Sequence, residues 1–296
     1  MITFVAIMYD VLLMKWNTLN INGQLLTLER PLVMGILNVT PDSFYEASRM
    51  QTESDVAARV EQLLSEGADI IDVGACSTRP DAAMVSAEEE MKRLRLGLQT
   101  LRKVAPQAVV SVDTFRADVA RMCVEEYGVG MVNDISGGTF DPQMYATVAL
   151  LRTPYILMYM QGEVDSMHQH HTYADVTADT IKALAAKVAQ LRNVGVHDII
   201  LDPGFGFSKT MAQNYELMAH LEDFQVFELP LLVGVSRKSM IWRLLDIRPE
   251  EALNGTTALH MAALERGADI LRVHDVKPAV EAVRIYEEIT KYQPTK

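Results

Sequence analysis

Short runs rich in Val, Ile and Leu alternate along this chain with longer stretches in which apolar residues recur every three or four positions. The runs fall at 32–38, 69–74, 108–113, 130–135, 155–160, 198–202, 230–235 and 270–274. Runs with little or no polar face fit strands buried on both sides, as in a parallel sheet covered by helices. The longer stretches lie at 53–66, 86–104, 116–127, 142–152, 174–194, 211–222, 249–266 and 277–291 and have helical spacing. In the first of them Val56, Val60, Leu63 and Leu64 share one face. Eight alternating strand and helix units in a chain of 296 residues predict an α/β fold, a single-domain (β/α)8 barrel. An open doubly wound sheet is the rival, but no GxGxxG or Walker sequence follows any of the runs.

One unit repeats almost unchanged. Glu66-Gly67-Ala68-Asp69-Ile70-Ile71 is echoed by Arg266-Gly267-Ala268-Asp269-Ile270-Leu271, with looser copies at 128–132 and 195–199. In each a helical pattern stops, Gly takes the C-cap position, and a β-rich run begins. The first 14 residues are apolar but interrupted by Asp10, and Met8 and Met14 both offer alternative starts. They lack the basic n-region of a signal peptide. Residues 1–14 are expected to be an extension outside the core, and 15–296 to form the barrel.

Charge narrows the partners. With 27 basic and 39 acidic residues the formal charge is −12, which argues against nucleic acid or an anionic membrane as the main ligand. An anionic substrate would need its few cationic contacts gathered in one place. No apolar run approaches the roughly 18–20 residues of a membrane span. The two cysteines, Cys76 and Cys123, have no metal-like spacing, as expected of a reduced, cytoplasmic protein.

In a barrel the chemistry sits where the strands end. Those ends carry, in order, Asn38; Ser77-Thr78-Arg79-Pro80; Asp113; Asn133 and Asp134; Gln161; Asp202-Pro203-Gly204-Phe205-Gly206-Phe207; Ser236-Arg237-Lys238-Ser239; and Arg272, His274 and Asp275. Singly, each has an ordinary explanation: Asp113 suits a helix cap, and Asp202-Pro203-Gly204 suits a turn. Together, on eight strands, they predict a polar rim. Arg272 and His274 alternate on a strand and so point the same way, into the barrel. A buried Arg–His pair without an anionic partner is costly, which points to an anionic ligand. Asp113, Asn133, Asp202 and Lys238 offer donors and acceptors for a flat heterocycle, with Phe207 and Met158 as apolar walls. Thr78, Arg79, Arg272, His274 and Asn38 suit a phosphate or diphosphate, with Mg²⁺. His168, His170 and His171 read more simply as a solvated loop than as a metal site.

Seven segments together resemble dihydropteroate synthases. They are 35–44 (GILNVTPDSF), 77–80 (STRP), 111–114 (SVDT), 133–135 (NDI), 202–207 (DPGFGF), 236–240 (SRKSM) and 272–276 (RVHDV), in the family's order and spacing. The resemblance implies a (β/α)8 enzyme of folate synthesis that joins 6-hydroxymethyl-7,8-dihydropterin diphosphate to p-aminobenzoate and releases pyrophosphate. It implies that Asp113, Asn133, Asp202 and Lys238 hold the pterin edge, with Met158 and Gly234 beside the ring. Asn38, Thr78, Arg272 and His274 take the diphosphate, with Asn38 as the Mg²⁺ contact. Arg79, Pro80, Phe207, Lys238 and Ser239 border the p-aminobenzoate pocket. Small-molecule substrates and a homodimer are likewise implied.

The chain departs from the family's pattern near the first two loops. Tyr45-Glu46-Ala47-Ser48 stands for the usual Ser-Asp-Gly-Gly, Ala75-Cys76 for Gly-Glu, Asp81 for Gly, Tyr159 for His and Ser208 for Gly. Two other functions remain open on sequence: a pterin-dependent methyltransferase, which has no use for the Arg272–His274 pair, and a noncatalytic paralogue that binds pterin.

Overall fold

The computed structural model describes residues 18–39, 52–76, 84–162 and 171–292. Eight parallel strands run β3 (Leu32–Asn38), β4 (Ile70–Gly74), β5 (Val109–Asp113), β6 (Met131–Asp134), β7 (Tyr155–Met158), β8 (Ile199–Asp202), β9 (Leu232–Val233) and β10 (Ile270–Val273). Each pairs with the next in chain order from β3 to β8, and β10 lies between β9 and β3. A parallel bridge between Leu201 and Leu231, with Leu201 N–H donating to the Pro230 carbonyl at 2.8 Å, closes β8 onto β9. The expected barrel is formed.

Helices follow the strands on the outside: α1 (Glu53–Ser65), α2 (Ala87–Val104), α3 (Ala117–Tyr127), α4 (Met144–Leu151), α5 (Val176–Asn193), α6 (Met211–Ala219), α7 (Ser239–Leu245), α8 (Leu253–Glu265) and α9 (Val276–Thr290). Their starts are chemically specified. Thr52 and Thr210 form capping boxes at α1 and α6, and Ser86 and Asp175 accept from the third helical N–H of α2 and α5. Two expected helices are interrupted. The stretch at 211–222 leaves α geometry at Ala219 and continues as a 3-10 turn over Leu221–Phe227. The last helical unit before β10 is preceded by α7, which ends on left-handed Asp246, and by a 3-10 turn that Pro249 begins.

The repeated unit has a shared purpose. Gly67, Gly128, Gly195 and Gly267 all adopt positive φ where a helix hands over to a strand. In the two close copies the following Asp then ties the neighbouring strand: Asp69 Oδ2 accepts from Val33 N–H and Asp269 Oδ2 from Leu231 N–H, both at 2.8 Å. Each carboxylate satisfies a backbone donor at the entry of the strand beside its own and so fixes register there.

Alternation along the strands divides the interior. Leu32, Met34, Ile70, Met131, Ile156, Ile200, Leu232 and Ile270 fill the lower barrel. Leu19 and Ile21 join them from a hairpin, β1 (Thr18–Ile21) and β2 (Gln24–Thr27), which stoppers the end where the strands begin. The apolar pattern of the chain does not reveal this hairpin: its strands span only four residues each, and just two side chains of β1 are buried. Burial of each such side chain contributes roughly 1.5–3 kcal/mol. With the lower end packed shut, the polar residues are displaced to the opposite mouth.

Candidate functional site

Strand parity builds the site. Above the apolar layer, β4 turns Asp72 inward, β5 Ser111 and Asp113, β6 Asn133, β8 Asp202, and β10 Arg272, and register sets Asp113 opposite Gly74 and Asn133 and Asp202 opposite Met158. Arg272 is the hub. Its Nε donates to Asp72 Oδ2 and its Nη2 to Asp113 Oδ2, both at 2.6 Å, while Asn133 Nδ2 donates to the same Asp72 oxygen at 2.9 Å. Burial pulls the Arg272 pKa down, but Asp72 and Asp113 outweigh it and hold the guanidinium above its ordinary value. Burial drives the Asp113 carboxyl up to about 7, opposed by Arg272 and reinforced by Asp72. Gly234 leaves the space over Arg272 open: the nearest atom to a Cβ built there would be Arg272 Cβ at 3.9 Å.

The facing wall holds Lys238 and Asp202. Lys238, at the N-cap of α7, reaches across to donate to the Phe205 carbonyl, and its Nζ lies 4.8 Å from the Phe207 ring centre. Burial lowers Lys238 to about 8 despite the opposing field of Asp202. Asp202 is itself raised by burial, while Lys238 and the Gly204 N–H, bonded to Oδ1 at 2.8 Å, favour its ionised form. The Asp202–Phe207 turn folds back tightly at left-handed Gly206, where a Cβ would meet Lys238 Cδ at 2.9 Å. Met158 is buried with Phe115, Ile135 and Met160, and Phe140 and Phe207 pack on that cluster. Ser239 is half-buried at the start of α7.

His274 lies within 3.2 Å of Ser236 Oγ through Nδ1. Burial, with Arg272 nearby, lowers its pKa to about 4, so at neutral pH it serves as a neutral donor. Asn38 sits half-buried at the same rim, its Oδ1 3.4 Å from the place a Gly74 Cβ would occupy, with Asp113 Cβ 3.5 Å from that same point. One amide oxygen beside a carboxylate, with side-chain space left open by glycine, suits a hard cation that keeps its waters and takes its other oxygens from a phosphate. Among the described residues no group of three or more His, Cys, Asp or Glu could hold a metal by itself.

Several expectations are corrected. Asp134 does not face the site: parity turns it outward, where it accepts from Ser136 N–H and Oγ, Gly138 N–H and Tyr155 hydroxyl at 2.7–2.9 Å. Asp275 and Arg237 leave the rim for each other, in a bidentate pair at 2.8 and 2.9 Å. Asp113 does not cap the next helix; Asp141 Oδ2 accepts from the first N–H of α3 instead. The Arg272–His274 pair does not depend on an external anion, because Asp72 and Asp113 already compensate the arginine. Thr78, Arg79, Pro80, Asp81, residues 45–48, His168 and His170 lie outside the described residues. Asp72 is a site residue that the strand-end pattern passes over. Its signal was present: a lone acid in an otherwise apolar strand, at the inward parity of Ile70.

Matches to known proteins agree with this geometry. The profile described as pterin binding enzyme matches residues 34–274. Dihydropteroate synthase of Escherichia coli strain K12 is 41% identical over 269 residues, covering 90% of this chain and 94% of that protein. The chain belongs to the dihydropteroate synthase family. A Yersinia pestis dihydropteroate synthase in complex with a sulfonamide drug superposes with a TM-score of 0.88 at 39% identity, over 93% of this chain and all of the other. The Xanthomonas albilineans dihydropteroate synthase in complex with 7,8-dihydropteroate gives 0.82 at 36% identity, over 94% and 100%. Membership of the dihydropteroate synthases makes the chain a transferase of folate synthesis. No helix among the described residues is long and apolar enough to cross a membrane.

Proposed function

We propose that this chain condenses 6-hydroxymethyl-7,8-dihydropterin diphosphate with p-aminobenzoate to give 7,8-dihydropteroate and pyrophosphate. One observation carries the reading: Arg272 is paired with Asp113 on one wall of the mouth, buried Lys238 sits in the field of Asp202 on the other, and Gly234 leaves space open over Arg272. Asp202 and Asn133 accept from and donate to the amine and amide edge of the pterin, and Lys238 donates to its carbonyl side. Asp113 lies beside the ring where positive charge develops. Phe207, Ser239, Arg79, Pro80 and Lys238 border the arylamine.

The reaction is a dissociative substitution. The bond from the exocyclic methylene carbon to the diphosphate oxygen breaks with its electron pair going to the leaving group. The resulting cation is delocalised over the dihydropterin. The arylamine nitrogen, nucleophilic without a strong base, forms the new C–N bond and gives up a proton. Arg272 Nη1 makes no hydrogen bond within the described residues, so it is the donor left for the diphosphate, with neutral His274 and Thr78 beside it. Donors fixed before the reaction stabilise the departing charge without reorganising. Asn38 would hold Mg²⁺, which when bound supplies Lewis-acid stabilisation of that charge. Apolar positions on α7 and on α9, Leu244, Leu245, Ile285 and Ile289, stay exposed and support a homodimer.

The test is pyrophosphate release in the presence of both substrates, with and without Mg²⁺. The reading expects release matched by 7,8-dihydropteroate when p-aminobenzoate and Mg²⁺ are both present; pyrophosphate released with no 7,8-dihydropteroate formed in their presence would overturn it.

A further inference from the structure

Lys209 is a buried lysine, 3% exposed, just beyond the Asp202–Phe207 turn, and it has no part in the reaction as described above. Its ammonium donates to the Gly204 carbonyl at 3.1 Å and the Phe207 carbonyl at 3.3 Å. It also lies 5.1 Å from the ring centre of Tyr159. The backbone it grips has no slack. At left-handed Gly204 a Cβ would fall 1.9 Å from the Tyr159 carbonyl oxygen, and Ser208 is held at φ 52°, a conformation uncommon outside glycine. The Ser208 hydroxyl accepts from Gln161 N–H at 3.0 Å and lies 3.2 Å from the Tyr173 hydroxyl, which in turn bonds Tyr159. One ammonium thus joins the turn that bears Asp202 at one end and Phe207 at the other.

We propose that Lys209 is a positioning residue for the pterin site, fixing the Asp202–Phe207 turn and adding to Lys238 and Arg272 a further positive charge that keeps Asp202 ionised. The proposal rests on the reading of Asp202 as the pterin acceptor. A carboxylate that accepts from ring N–H groups must be charged, and burial disfavours that charge. Lys238 faces Asp202 from the start of α7, Arg272 from β10, and Lys209 from the turn itself; all three lower its pKa. Tyr159 is the remaining titratable group against Lys209, and Asp113 acts on this cluster only through Lys238 and Arg272. Burial brings Lys209 down to about 7, opposed by Asp202, so its charge is present on the acid side, where Asp202 needs it.

K209Q keeps a donor for the loop carbonyls but removes the charge, and K209R keeps the charge. Binding of the dihydropterin diphosphate is measured for each from pH 5 to 8.5, alongside wild type and thermal melting. The expected result for K209Q is an acid limb moved up by about one pH unit, so that affinity on that limb is roughly tenfold weaker, with a smaller loss at pH 8.5. K209R leaves that limb where wild type has it. A K209Q protein that binds with the wild-type pH profile overturns the proposal, as does a K209R protein whose limb moves equally. If K209Q does not fold, wild-type binding that shows no acid limb between pH 5 and 8.5, or a limb that moves in K209R, overturns it. Failure of wild type to bind the pterin at any pH instead refutes the reading of Asp202, not the role of Lys209.

Discussion

At the scale of single residues the site is a problem in charge placement. Asp72, Asp113, Asp202, Arg272 and Lys238 lie in one barrel mouth, and each is tolerable only because another faces it. Asp202→Asn removes a charged acceptor while preserving shape, so pterin affinity should fall by about 10–100-fold, the worth of a charge-assisted hydrogen bond; titration calorimetry checks it. Asp72→Asn should also raise the KM for the pterin substrate, by about tenfold, because Arg272 and Asn133 lose their shared anchor. An unchanged KM would mean that Asp72 is bystander structure. The residues that carry donors at strand ends were legible in the sequence, since an Asp or Lys after an apolar run stands out. Asp134 was legible as polar but not as outward, because one residue of parity separates it from Asn133. Asp72 was obscured by its own strand, and Lys209 by a place outside the strand ends.

At the scale of elements, helix starts, the glycine hand-over and the apolar strand cores all leave local signals, and eight strands were found within one or two residues of their observed bounds. What local pattern could not supply is the role of a segment defined by distant partners. The β1–β2 hairpin is such a case: Leu19 is buried in one cluster with Leu32 and Met34 of β3, Met131 of β6 and Ile270 of β10, three strands distant from it in the chain. Leu19→Ala should destabilise the fold by about 2–5 kcal/mol, the range for buried leucine truncations. Because the hairpin lies at the end opposite the rim, kcat/KM measured on the folded fraction should stay at the wild-type value. Chemical denaturation and steady-state kinetics test the two halves together, and a large kinetic loss would mean that the stopper reaches the site. The break between α7 and α8 is intelligible afterwards from Asp246 and Pro249, although the apolar pattern runs through both.

At the scale of the whole molecule, burial of titratable groups makes stability depend on pH. His260 is buried with neither ring nitrogen hydrogen-bonded, and burial lowers its pKa from 6.5 to about 4. Unfolding restores the higher value, so the unfolded chain binds more protons between those limits, and stability falls as pH drops from about 6.5 toward 4. His274 acts with the same sign, whereas Asp113, raised to about 7, gains stability on acidification. His260→Leu should therefore remove about 2 kcal/mol of the loss between pH 7 and pH 5. Melting temperatures at the two pH values read this directly; parallel shifts in wild type and variant would contradict it. The barrel closes one mouth with apolar side chains and, among the described residues, sets Asp72, Asp113, Asp202, Arg272 and Lys238 at the other.

The most direct measurement is condensation itself: purified protein, dihydropterin diphosphate, p-aminobenzoate and Mg²⁺, with 7,8-dihydropteroate quantified against time. The account predicts steady product formation by the wild type and its loss in Asp202→Asn at substrate concentrations that saturate the wild type. Tight binding of the pterin with no dihydropteroate formed would contradict it and leave a barrel that holds pterin without turning it over.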